Sequence, residues 1–267
     1  KDRHALTRQA FTVHLPGREA PALESLAIEG VAVLAASRHA RKLPRGALRG
    51  NRFRLRVREV RGVPDAIAQR LAQIAARGVP NRFGEQRFGR DGGNLGAARE
   101  LFAGKRFARE KRSILISSAR SELFNRILDE RIRQAAWDRA LPGEVFMLDG
   151  SHSVFVPQAD DEALDARLAA FDIHPTGALW GAGEPRSSEA VRAIEDAVAA
   201  ADPQLASGLA GAGLKQERRA LRLPVRALAW SMVGDVLSLA FELPAGSYAT
   251  AVLDALGAMR DGSRPGT

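Results

Sequence analysis

The chain has 267 residues, 45% of them hydrophobic, with a net charge of +9 and no cysteine. Disulfides, thiolate metal sites and a cysteine nucleophile are therefore excluded, and no apolar run reaches the 18 residues that a membrane span needs. An arginine-dominated pI near 10.9 points to a polyanionic partner, nucleic acid or an anionic surface. The five histidines (4, 14, 39, 152 and 174) are scattered without ligand spacing, so no metal is expected. A cytoplasmic location is the default for such a composition, and the length suits one large domain or two ordinary ones.

In chain order, AFTVHL (10–15) and VAVLAA (31–36) read as short strands closed by polar or Pro/Gly residues. NRFRLRVREV (51–60) alternates, placing Phe53, Leu55 and Val57 on one face of a strand and Arg54, Arg56 and Arg58 on the other. PDAIAQRLAQIAARG (64–78) is an amphipathic helix opened by Pro64 and ended by Gly78. A Gly-rich stretch follows (78–102). ISSARSELFNRILDERIRQAAW (116–137) then reads as a long helix capped by Ser117 or Ser118. Residues 160–220 are Ala-rich and helical, interrupted by HPTGALWGAGEPRSSE (174–189), which reads as loop. DVLSLAFELPAG (235–246) is a strand, SYATAVLDAL (247–256) a helix with Ser247 at its N-cap, and the last eight residues are expected to be disordered.

The charge is clustered. Between Ser37 and Gly62 there are nine arginines and Lys42 against the single acid Glu59. Same-face residues of a strand repeat every ~6.6 Å, so a row of guanidinium groups can follow a phosphate backbone and grip it bidentately. A half-buried strand with a solvated outer face is the plainer reading of the same alternation. The clustering favours RNA or DNA. The glycines at 89, 92, 93 and 96 fit neither dinucleotide nor P-loop spacing and lack a leading strand. A turn beside an RNA ligand, or a structural junction, accounts for them better.

KDRHALTRQ, GALRGNRFRLRVREV, GVPNRFGEQRFG, ISSARSELFN and LPAGSYAT occur in that order. Together they resemble the TruD family of tRNA pseudouridine synthases, over nearly the whole chain. The resemblance implies that Asp2, in the K-D-x-x-A-x-T-x-Q block, is the catalytic nucleophile. It implies that Asn51 and Tyr248 contact the uridine, with Phe53 stacking on it or shaping its pocket, and it groups Lys1 with them. Core packing beside Leu55 and Val57 is the rival role for Phe53. A turn residue is the rival for Asn51, and a solvated helix-start anchor for Tyr248. The RNA backbone is expected at Arg54, Arg56 and Arg58, with Arg82 and Arg87 of the middle block. Family members carry a further segment ahead of the K-D block, so the resemblance also implies an N-terminally truncated chain. Two departures stand out. Asp254-Ala255 replaces a common Arg-Glu, which bears on an ion pair at the base of the site. Arg82 replaces a frequent Tyr, which bears on RNA contact.

The chemistry suits a lone carboxylate. Converting uridine to pseudouridine breaks the C1′–N1 bond, turns the base and joins C1′ to C5, with no net redox change or hydrolysis, so no cofactor is expected. An ionised Asp2, kept so by Lys1 or Arg3, can attack C1′ or the base, or stabilise charge there. The expected fold is α+β. A pseudouridine synthase core with a mixed or antiparallel sheet comprises residues 1–77 and 221–267, and a mainly helical α/β insertion domain comprises 78–220. The expected partner is tRNA, with position 13 as the implied target. Neither a membrane nor an obligate protein partner is expected. The competing reading is a non-catalytic basic RNA-binding protein, for which an acid in a basic groove has no use.

Overall fold

The structure, a computed structural model, describes residues 5–19, 21–44, 47–158 and 161–260. They divide into two units, Lys1–Arg49 and Gly50–Thr267. In the first, the described residues hold one 3-10 turn, Leu23–Ser25, and an isolated bridge between Ile28 and Val31. AFTVHL and VAVLAA, expected as strands, form no ladder there, and Phe11 and Val13 are 76% and 68% exposed. A strand exists only as a pairing of backbone groups. Alternation supplies a face but not a partner.

The second unit opens with β1 (Gly50–Val57), then α1 (Pro64–Arg77) and the short β2 (Val79–Pro80). Pro64 sits at the start of α1, where its missing N–H costs nothing, and Gly78 with φ +73° ends it. Two 3-10 turns, Glu85–Phe88 and Arg90–Gly92, lead into α2 (Gly93–Phe102) and the long α3 (Arg109–Arg133). There follow β3 (Phe146–Leu148), β4 (Val154–Phe155), α4 (Leu164–Ala169), β5 (Ile173–Leu179), α5 (Glu189–Ala200) and α6 (Pro203–Gly211). The chain ends with β6 (Glu217–Ala220), β7 (Arg222–Leu223), β8 (Arg226–Val233), β9 (Val236–Pro244) and α7 (Ala249–Leu256). The class is α+β: every ladder among these strands is antiparallel.

Three sheets result, with orders β1-β9-β8, β2-β7 and β4-β3-β5-β6. The strand expected over 235–246 is β9, and it pairs along its length with β1, Phe53 opposite Phe241 and Leu55 opposite Leu239. One face of this sheet is covered. Leu237, Leu239, Phe241 and Leu243 are buried against Leu71 and Ile74 of α1 and Val252 of α7, with Phe53, Leu55 and Val57 packed alongside. At ~25 cal/mol per Å² of apolar surface removed from water, that cluster is what holds β1 to strands far along the chain.

The other buried clusters centre on α3. Leu115, Ala119 and Leu123 pack on Leu205 and Leu209 of α6. Phe124 and Leu128 meet Leu221, and Ile127 meets Ala178. Two sequence readings need correction here. The helix expected from Ser117 starts eight residues earlier, at Arg109, because REKRSIL contains no breaker and continues the apolar stripe to Leu115. HPTGAL, taken as loop, is β5, the buried middle of the four-stranded sheet. Pro175 and Gly177 read as breakers. Yet a Cβ at Gly177 would stand 3.0 Å from Leu221 and 3.2 Å from Phe124, so the glycine is what lets this strand lie on α3.

Asp149 joins the strands at one end of that sheet. It accepts from His174 Nε2 at 2.9 Å and Arg226 Nη2 at 2.6 Å, while Arg222 Nε donates to His174 Nδ1 at 3.2 Å. Burial pushes the His174 pKa down against the pull of Asp149. The unfolded chain therefore takes up the proton more readily. The stability His174 contributes is complete above its ordinary pKa of about 6.5 and is lost as the pH falls below it. The urea midpoint is expected to fall between pH 7.5 and 5.5, and His174→Gln, which does not titrate, to flatten that dependence.

Candidate functional site

Three of the sequence blocks meet at one end of the first sheet. Gly50 opens β1 opposite Pro244, where a Cβ would lie 2.4 Å from the Leu243 carbonyl oxygen, so only glycine allows the approach. Asn51 is consequently held opposite Leu243 at the start of the strand. Phe53 turns inward, its ring 5.5 Å from that of Phe241. Arg54 and Arg56 stand on the opposite, open face among Ala229, Ser231, Ser238 and Ala240, which line a shallow trough. Arg52 on the same face is tied to Glu242. Among the described residues no carboxylate lies within 4 Å of Arg54 or Arg56. Arg58 is exposed just beyond the strand's end.

The middle block is fixed from α3 and β6. Asn125 of α3 clamps the backbone of Phe83, accepting from its N–H and donating to its carbonyl, both at 3.0 Å. Arg82 forks onto Asp129. Arg87 donates to Ser117 Oγ at 2.9 Å, and Ser118 Oγ donates to the Arg87 carbonyl at 2.7 Å. Both serines expected as caps thus sit inside α3 and hold this loop instead. The guanidinium of Arg219 lies over the Phe83 ring, 4.1 Å from its centroid, and donates from Nη2 to Asn81 Oδ1 at 2.7 Å.

The start of α7 closes the site. Tyr248 is its N-cap residue, half-exposed, two positions before Thr250. Gly84 of the middle block faces Thr250, whose Oγ1 would be 3.7 Å from a Cβ there. Arg219 feels the phenol of Tyr248 electrostatically; burial, then the charge of Arg87, push its pKa down to about 10, so it remains a cation at neutral pH. Asp254 has its pKa raised, by burial and then by Glu85, against the pull of Arg82. Asp2 and Lys1 lie outside the described residues. Among the described residues no cluster of three His, Asp or Glu could hold a metal ion.

A family model described as tRNA pseudouridine synthase D (TruD) matches residues 1–98 and 98–256. The chain belongs to the TruD family. It is 52% identical over 282 residues to a tRNA pseudouridine synthase D of Xanthomonas axonopodis pv. citri, with 99% of this chain and 76% of that protein covered. The counterpart in Nitrosococcus oceani is 50% identical, covering 95% of this chain and 72% of that one. Among solved structures, a TruD protein of Methanosarcina mazei superimposes with a TM-score of 0.61 at 20% identity, over 88% of this chain and 74% of that one. That likeness supports the fold. TruD membership makes this chain one of the tRNA pseudouridine synthases, an isomerase family, and no described helix is long and apolar enough to cross a membrane.

Several residues that build this candidate site escaped the sequence reading. Arg219 lies in the run KQERRALR, where nothing in the local pattern separates one arginine from the next. Asn81 and Phe83 lie inside a recognised block but look like turn residues. Asn125 looks like a polar residue on a helix face. Its burial among Phe124, Leu123 and Leu128 was the available signal, since a buried amide must satisfy several hydrogen bonds.

Proposed function

We propose that this protein isomerises uridine to pseudouridine in tRNA, at position 13 as the resemblance implies, with Asp2 as the nucleophile and without a cofactor. The observation that carries this reading is the meeting of GNRF, GVPNRFGEQRFG and LPAGSYAT at one end of the first sheet, in a chain whose relatives bear the name tRNA pseudouridine synthase D. A uridine in folded RNA must be flipped from its stack to be reached. Tyr248, half-exposed at the start of α7, offers a stacking face, and Asn51 carries the donor and acceptor that a uracil edge requires. Phe53, two residues on along the same face of β1 and 5.5 Å from the Phe241 ring, stacks on the base or shapes its pocket. The carboxylate of Asp2 attacks C1′ or the base as the C1′–N1 bond breaks. The base turns, C5 bonds to C1′ as the carboxylate of Asp2 leaves, and the C5 proton is lost while N1 gains one. Conversion of uridine in a tRNA transcript, read by chemical probing or by tritium release from C5, tests this directly. Tight tRNA binding without any conversion would leave a non-catalytic RNA-binding protein.

We further propose that residues 1–77 and 221–267 form the catalytic core and 78–220 an insertion domain that widens the RNA contact. What supports this is the ribbon of β2 and β7, through which the chain leaves at Val79–Pro80 and returns at Arg222–Leu223. Arg54 and Arg56 are assigned to the RNA backbone, Arg58 extending the row. Arg82, already held by Asp129, contributes less. Replacing Arg54 and Arg56 by Ala is expected to weaken all tRNAs alike. The slope of log K against log[salt] should become shallower by roughly 0.7–0.9 per lost phosphate contact. Binding that is insensitive to salt between roughly 50 and 200 mM would remove these residues from the RNA interface.

A further inference from the structure

We infer that Arg219 and Arg87 form a phosphate subsite that takes the backbone linkage beside the flipped uridine, an inference that rests on the function proposed above. The buried arginines of this fold show what a structural arginine looks like. Arg131 is paired with Glu144 at 2.7 Å and Arg218 with Glu195 at 2.8 Å, all four side chains nearly inaccessible. Arg222 has no carboxylate, but its Nε and Nη2 are spent on His174 and on the carbonyls of Leu168 and Ile173. Arg219 has neither arrangement. Among the described residues its side chain makes one hydrogen bond, to Asn81, has no carboxylate within 4 Å, and has a buried Nε that, like the Nη1 of Arg131, lacks an acceptor.

Its neighbour makes the arrangement costlier still. The Arg87 guanidinium lies 5.3 Å from the centroid of the same Phe83 ring, and the two like charges repel. Of the acids nearby, Asp129 pairs with Arg82, whose charge Asp254 also feels. Two cations mounted at one aromatic ring, neither with a carboxylate within 4 Å among the described residues, are stabilised by an anion that both can donate to. Arginine's planar fork fits a phosphate better than any other anion present in RNA. Tyr248 fixes which phosphate. It stands two residues before Thr250, which faces Gly84, three residues ahead of Arg87, so a base stacked at Tyr248 brings its own linkage toward the pair. Flipping turns a nucleotide about its backbone and displaces the flanking phosphates, and a fixed pair of cations holds one of them in the flipped position.

The test uses tRNA transcripts with a neutral methylphosphonate at the linkage 5′ or 3′ of the converted uridine, and measures dissociation constants. One of the two substitutions is expected to weaken binding to the parent protein about tenfold, the scale of a charge-assisted hydrogen bond. Arg87→Gln and Arg219→Lys are each expected to weaken the unmodified transcript by a similar factor and to lose less than about twofold more on the neutral linkage. Arg87→Gln should also make the salt slope shallower by roughly 0.7–0.9, which a purely structural role would not do. Arg87 is partly exposed, so its variant keeps the test decisive if Arg219→Lys fails to fold. A parent that converts uridine but is indifferent to both linkages overturns the subsite alone. So do variants that lose as much on the neutral linkage as the parent does. A parent that neither binds nor converts any transcript overturns the functional reading with it.

Discussion

Asp2→Asn is expected to reduce pseudouridine formation by at least roughly 100- to 1,000-fold, the range over which single groups that stabilise a transition state are felt. Asparagine keeps the size of the side chain and its hydrogen-bonding capacity and removes only the charge. Affinity for tRNA should therefore stay within about threefold of the parent, because the RNA-backbone contacts proposed for this chain are arginines, which the change leaves in place. The contrast with Tyr248→Ala is informative. Loss of a stacking face costs roughly 1–3 kcal/mol per base, so that variant should bind more weakly and also turn over more slowly. A normal rate from Asp2→Asn would hand the chemistry to another acid. Glu85 of the middle block and Asp254, whose carboxyl feels it, would be examined first.

Arg131→Met should unfold the protein more readily than any surface change. Arg131 and Glu144 are 1% and 2% exposed and joined at 2.7 Å. Arg131 also donates from Nε to the Ala136 carbonyl and from Nη2 to that of Arg139, so it knots the end of α3 to the turn that follows. Burial already pushes the Glu144 carboxyl up, with Arg131 first among the groups opposing it. Removing the arginine strands that carboxyl, at an expected cost of about 3–5 kcal/mol in a urea titration. Replacing both residues by well-packed apolar ones should recover most of the loss, because the pair is worth less than the penalty for breaking it. If the single variant loses under about 1 kcal/mol, Glu144 is accepting its proton without strain and the pair is not a structural anchor.

The legible parts of this chain were those in which local pattern and tertiary role agree. NRFRLRVREV alternates because one face is core and the other is open, and the observed ladder keeps that assignment at every residue from Arg52 to Val57. Pro64 and Gly78 bracketed α1 because each acts through its own backbone. The misses were positions where packing overrides preference. β5 contains Pro175 and Gly177, yet it runs as a buried strand because α3 needs a residue without a Cβ beneath it. The start of α7 fell one residue from expectation, Tyr248 rather than Ser247 taking the N-cap. Within the site, Asn51 and Tyr248 were legible only as members of quoted blocks. Arg219 was not legible at all, because its distinction is the missing carboxylate, a property of its surroundings.

The pairing of β1 with β9 has a consequence for how the protein is made. Arg52 and Glu242 touch across a sequence separation of 190 residues. Lengthening a loop adds little to its closure entropy, but such distant contacts slow the search for them. At roughly 5–20 residues per second the ribosome takes on the order of 10–40 s to deliver β9 after β1 has emerged. During that interval Phe53, Leu55 and Val57 have no strand to pair with, while α3 can already gather α2 and then α5 and α6. The nascent chain thus presents an arginine-rich, apolar-backed segment beside the ribosome's own RNA before the sheet that will orient it exists.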